Sequence, residues 1–454
     1  MFRNKVQIES LLFLIKWLVI AIFAGIIGSS IVHLFIFFLE RIHDTLSLSP
    51  VPIVLLPVIG AVVTGGVFYY LQPEAAGEGI PCYIGAVNEE GGRFSFSVTV
   101  FKFLSAVATL ATQGNGGIIG PLGRVSSGLL SLIQEGLAKL KIGFNEGDIR
   151  TASICGLAAT VSAVFHAPIG GGILAVEIIK RDHMDYSDLF PAILASATSM
   201  YFCNLLGWDG FYTFEAPHVF MDISCMFYVV ILAFSTGFSG ALFTWFYIKT
   251  TQVLKRNEGK FFRKVTICSF LSAALALSVH PEILGTSQGL IKTLLSGDLT
   301  LITDQKGPIP IFLFLLVIAL TKGICNCITV GSGMSAGFLG PATIIGMLLG
   351  ASLSVKEGVE VGSSTYYAFV AAGFAGMLAS TMNIPQAAGV ITLEVFGLHY
   401  SLPAAIAIVV AFQITKHRTI YDFAVKGEKQ RLVKIYMQEE EKQYERRIKN
   451  DSKQ

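Results

Sequence analysis

The sequence predicts an all-α, polytopic membrane protein made of two repeated halves, with broken helices meeting near the middle of the bilayer. Three observations predict it. Charged residues make up only 14% of the 454-residue chain and hydrophobic residues 53%, outside the usage of soluble domains. Residues 156–178 and 373–395 repeat one another without a gap: Gly156 pairs with Gly373, Pro168 with Pro385 and Glu177 with Glu394, all at an offset of 217 residues (373 minus 156). Upstream, GNGGIIGP ending at Pro121 answers GSGMSAGFLGP ending at Pro341 at an offset of 220 (341 minus 121). Apolar halves that repeat and are broken by Gly and Pro mark a transport architecture with its site between the halves.

The elements follow in order. The apolar run near residues 10–40 is too long for a cleavable leader and lacks a small-residue cleavage site, so it reads as a spanning helix. Runs near 51–71, 223–249, 309–330 and 401–415 also lack the charges a soluble surface needs. Segments 118–133, 342–354 and 387–397 read as too short to span, with Gly or Pro at their starts. That mixture implies broken or re-entrant helices, because irregular backbone survives at membrane depth only inside protein or beside water. One membrane domain is expected over residues 1–424, with halves of about 8–252 and 264–424. A charged tail, 425–454, reads as a solvated extension of the last helix.

Basic residues cluster at Arg3 and Lys5, at Lys180 and Arg181, from Lys255 to Lys264 and from Lys426 onward. By the positive-inside rule all lie on one side, which places both termini in the cytoplasm. A net charge of +2 gives no footprint for a nucleic acid. The seven cysteines show no disulfide or metal spacing, and the Cys325-x-Cys327 pair reads as packing. No cofactor, metal site or nucleophile set is indicated, so an enzyme is not expected. His166 reads as a hydrogen-bonding core residue and the many Phe as facing lipid and neighbouring helices.

Three segments stand at the starts of apolar helices: Gly77-Glu78-Gly79-Ile80-Pro81, Gly117-Ile118-Ile119-Gly120-Pro121 and Gly337-Phe338-Leu339-Gly340-Pro341. Proline is tolerated in a first helical turn, and glycine lets a ligand approach the backbone. Each start exposes free N–H groups at the positive end of the helix dipole. Several such starts converging at mid-membrane bind an anion with partial charges alone, weakly enough to release it.

These motifs, with APIGGGILAVE at 167–177, resemble in order and spacing the signature segments of the CLC chloride channel and transporter family over nearly the whole membrane domain. The resemblance implies two inverted-topology repeats and a homodimer with one pore per subunit. It also implies an anion path lined by Glu78, Gly79, Ile80, Pro81, Ile118, Ile119, Gly120, Phe338, Leu339 and the family's late tyrosine, here Tyr421. The departures matter as much. The first motif carries Glu78 where the family usually has serine, and a carboxylate there repels the anion, takes its place or is held protonated. The gating glutamate is absent: alignment on Pro121 puts Ile119 in its position, and alignment on the preceding glycines puts Leu122 there. The repeat mate Pro341 supports the first. Leu339 stands where phenylalanine is usual. The paired glutamates of proton-coupled members read Glu177 and Ile178, and Glu177, matched by Glu394, reads as a structural acid.

The expectation is passive movement of chloride or a similar small anion across the inner membrane by a homodimer embedded in lipid, with Glu78 as substitute gate and Ile119 and Leu122 as further gate candidates. Two rivals stand beside it: a secondary anion/proton antiporter in which Glu78 titrates, and a non-conducting scaffold of the same fold.

Overall fold

The computed structural model of the protein describes residues 2–139, 147–180, 184–214, 217, 225–255, 261–304 and 307–422. No strand forms among them; the one β-type pairing they contain is a bridge between Gly117 and Gly337. The first half holds α1 (Phe2–Ser47), α2 (Leu56–Val63), α3 (Tyr69–Leu71), α4 (Ile80–Glu89), α5 (Phe96–Ala111), α6 (Ile119–Lys139), α7 (Gly147–Phe165), α8 (Gly170–Glu177) and α9 (Tyr186–Leu205). The second half holds α10 (Cys225–Lys255), α11 (Phe261–Val279), α12 (Gln288–Ser296), α13 (Thr300–Thr303), α14 (Ile311–Ser332), α15 (Leu339–Lys356), α16 (Ser364–Met382), α17 (Pro385–Phe396) and α18 (Ser401–Thr415).

Among the described residues seven helices are long and apolar enough to cross a membrane. Their outer faces carry large apolar side chains, such as Phe23, Phe238, Leu271 and Leu320, that hydrocarbon accommodates and water does not. The repeat glycines explain how the inner faces meet. A Cβ on Gly156 of α7 would lie 2.6 Å from the backbone of Ser127 in α6. In the second half Gly373 of α16 meets the backbone of Gly346 and Gly350 in α15 in the same way. Without a hydrophobic drive between helices in lipid, this close backbone approach supplies the dispersion that holds each pair.

Two expected half-length segments turn out longer. The run read as 118–133 belongs to α6, which has 21 residues, and 342–354 belongs to α15, which has 18 and is long enough to span. The apolar count ended at Gln134 and Glu135, but polar residues near a helix end do not stop the helix. The segment 387–397 is short as expected, within the 12 residues of α17. The charged tail and the basic residues Arg181, Arg256, Lys260 and Lys426 lie outside the described residues.

Candidate functional site

Glu78 sits in the turn that leads into α4, with Gly79 as cap, Ile80 as first residue and Pro81 in the first turn. Its carboxylate folds back onto that helix start, accepting from the Ile80 N–H at 2.7 Å. The Tyr421 hydroxyl, from the segment after α18, donates to the other oxygen at 3.3 Å, and the Phe338 N–H at the start of α15 adds a third donor. A Cβ on Gly120, in the first turn of α6, would run into the same carboxylate. Three helix starts and Tyr421 therefore converge on one buried point, and a carboxylate of this chain occupies it. Glu78 is 5% exposed and Tyr421 2%.

The close approach has a backbone cause. Gly117 donates to Gly337 O at 2.9 Å and Gly337 donates back to Gly117 O at 2.7 Å, which aligns Ile119 with Leu339 as the first residues of α6 and α15. This places Ile119, and not Leu122, as the counterpart of Leu339; Leu122 is fully buried one turn into α6. Ile118 and Ile119 line a cavity of about 20 Å³ together with Tyr212 and Gly340. That is room for about one water molecule. Thr286 and Gln288 line both this cavity and a vestibule of about 520 Å³ bounded by the C-terminal end of α1. The Phe338 ring packs on Tyr247 at 4.5 Å and faces Tyr421 at 6.5 Å, closing the site on its other flank.

Two buried lysines, neither singled out by the motifs, hold the loops in place. Lys102 of α5 donates to the carbonyls of Gly77 and Ala75, and Lys322 of α14 donates to those of Gly285 (2.8 Å) and Ile283 (2.9 Å) and to Asn115 Oδ1 (3.2 Å). The lysines are 220 residues apart, and the loops they grip, PEAAGEG at 73–79 and PEILGTS at 281–287, are 208 apart. The reciprocity extends to the backbone: Gly77 donates to Gly333 O at 2.8 Å, and Gly285 to Gln113 O at 3.0 Å. An ammonium has only donors, so burying it requires several acceptors, and the carbonyl ends of these turns provide them. Glu78 thus stands where the second copy has Thr286, and the 220-residue spacing of the lysines, equal to that of Pro121 and Pro341, was their sequence signal.

The structural role expected of Glu177 fits its contacts. Its carboxylate accepts from the N–H groups of Gln386 (3.0 Å) and Ala387 (2.7 Å) at the start of α17. Glu394 does the same for Ile169 and Gly170 at the start of α8, both at 2.8 Å. The two halves cap each other's helices.

The sequence profile described as "Voltage gated chloride channel" matches residues 60–416. A protein of Methanocaldococcus jannaschii described as uncharacterized is 27% identical over 421 residues, 90% of this chain and 96% of its own. The chloride/fluoride channel protein of Pseudomonas syringae pv. tomato is 22% identical over 92% of this chain and 88% of its own. The H(+)/Cl(-) exchange transporter ClcA of Yersinia pestis is 23% identical over 71% and 66% respectively. Among solved structures, a CLC-type fluoride/proton antiporter superposes with a TM-score of 0.73 at 22% identity, covering 89% of this chain and 95% of that one. A slow cyanobacterial Cl-/H+ antiporter gives 0.72 at 16% identity, covering 91% and 97%. With the profile matched over most of its length and the fold shared, the chain belongs to the voltage-gated chloride channel (CLC) family of membrane anion-transport proteins.

Proposed function

We propose that the protein passes chloride or a similar small anion passively, through a path whose central anion position is held at rest by the Glu78 carboxylate. The observation that carries this reading is the seat of Glu78 on the Ile80 N–H and the Tyr421 hydroxyl. These are the donors an anion would use, so the side chain and the ion compete for one place. Protonation of Glu78 removes its charge and favours the ion. Proton exchange by the usual route lacks both carriers: Ile119 stands in the gating position, and Glu177, followed by Ile178, is engaged at the start of α17. The protein is proposed to act as a homodimer in the inner membrane with cytoplasmic termini. In support, Lys16 of α1 pairs with Asp148 of α7, so the basic N-terminal end shares a side with the start of α7.

The second reading is anion/proton antiport with Glu78 as the titrating group, favoured by the exchange activity named for the Yersinia relative. Reconstitution in liposomes with simultaneous anion and proton electrodes separates the two. Anion efflux without proton movement upholds the first reading. Anion-driven, uncoupler-insensitive proton uptake that vanishes in Glu78→Gln replaces it with the second. No efflux from wild type, with efflux appearing in Glu78→Ser, indicates a closed scaffold.

A further inference from the structure

One face of α6 carries four buried polar side chains with atoms that meet no hydrogen-bond partner among the described residues: Arg124 Nε, Ser127 Oγ, Ser131 Oγ and Gln134 Nε2. The spacing of 3, 4 and 3 residues keeps them on one side of the helix. They are 7%, 0%, 0% and 2% exposed. Serine and threonine hydroxyls in membrane helices usually bond back to the preceding turn, as Ser29, Thr160 and Thr198 do here. Ser127 and Ser131 do not.

The scaffold does not demand this polarity. At the 220-residue offset, α15 has Ile344, Met347 and Ala351 opposite the first three, and only Ser354, at its end, is polar. Three of the four positions are apolar in one copy and polar in the other, and the fourth, Ser354, repeats the buried unpartnered hydroxyl at the helix end. Buried groups of this kind bind water, because each one left dry costs the full desolvation of its dipole.

We infer that α6 carries a file of buried water molecules from the cytoplasmic end of the helix to the turn that Lys102 and Glu78 share, and that through it Glu78 gains and loses protons from the cytoplasm. The ten residues from Arg124 to Gln134 rise about 15 Å, half the hydrocarbon thickness. The outer end lies on the side of the Lys16–Asp148 and Arg150–Asp188 pairs. At the inner end Arg124 reaches the Glu74 carbonyl, one residue before the Ala75 carbonyl that Lys102 holds. The charged and titratable groups coupled electrostatically to Glu78 there are Lys102 from α5, Tyr247 from α10 and Tyr421, and Arg124 from α6 acts in turn on Lys102. Two cations at the inner end raise the cost of an excess proton, so exchange is slow compared with anion passage. The file sets the resting charge of Glu78 and does not couple each ion to a proton.

This inference rests on Glu78 as gate and supplies its regulation. The test measures anion efflux from oriented liposomes while cytoplasmic-side and external pH are varied separately, for wild type, Glu78→Gln, Ser131→Ala and the triple variant Ser127→Ala/Ser131→Ala/Gln134→Leu. The expected result is a cytoplasmic-pH dependence in wild type that is lost in the triple variant with basal efflux retained, and lost in Glu78→Gln with efflux raised at every pH. Dependence lost in Glu78→Gln but intact in the triple and single variants overturns the water file and leaves the gate standing. Wild-type efflux indifferent to cytoplasmic pH overturns it as well. A high-resolution density map reads the file independently of transport: ordered water at Ser127, Ser131 and Gln134 supports it, and a dry seam overturns it.

Discussion

Replacing Glu78 by glutamine keeps the shape of the side chain and removes its charge, which isolates the quantity that sets the gate. The carboxylate accepts from the Ile80 N–H, the Tyr421 hydroxyl and the Phe338 N–H. A hydrogen bond to an ionised acceptor is worth about 1 kcal/mol more than its neutral counterpart, so three bonds give a difference of about 3 kcal/mol. An anion displacing the glutamine meets that much less competition, and its apparent affinity rises about 100-fold. Calorimetric titration of detergent-solubilised protein with chloride and with fluoride measures the change directly, and efflux from liposomes should rise alongside it. Unchanged affinity for both ions in Glu78→Gln would refute the competition and remove the basis for the gate.

Three further outcomes follow from the same geometry. Gly120→Ala should destabilise the wild type, because its Cβ meets the Glu78 carboxylate, and should cost much less in a Glu78→Ala background; a thermal-melting double-mutant cycle with no coupling counts against that contact. Lys322→Met leaves Asn115 Oδ1 without a donor and takes one of two donors each from Gly285 O and Ile283 O, and should cost about 2 kcal/mol or more of stability in detergent, with Lys322→Arg recovering a large part; equal melting of the two variants refutes the clamp. Glu177→Gln should cost about 1 kcal/mol through its weakened cap on α17 and leave any proton movement as in wild type; a changed proton signal would make Glu177 a relay.

Much of the architecture is legible in the sequence because membrane helices that must approach closely need glycine at fixed places. Gly156 and Gly373 fix the α6/α7 and α15/α16 crossings, and the prolines mark helix starts. The third repeat, PEAAGEG against PEILGTS, escapes notice since the two copies diverge where their roles do, at Glu78 and Thr286. Lys102 and Lys322 stand singly in apolar helices, and their 220-residue spacing marks them as repeat mates, but what they hold is set by carbonyls 25 to 39 residues away that only the fold brings close. The lengths of α6 and α15 are misread for a related reason. Burial decides whether Gln134 ends an apolar run, and burial belongs to the fold. The convergence on Glu78 needed four segments from opposite ends of the chain, of which only the motif order hinted.

The Gly117–Gly337 bridge bears on how such a path can open. In a rocking transporter the two halves must separate alternately on either face, hinging at the middle. Here the middle is riveted, main chain to main chain, by two bonds that no side-chain rearrangement can release, and the Glu177 and Glu394 caps fasten the halves again. Relative travel of the bodies on either side would first have to break these bonds. On the proposed reading the moving part is a single side chain within a held aperture, a valve and not a pair of jaws.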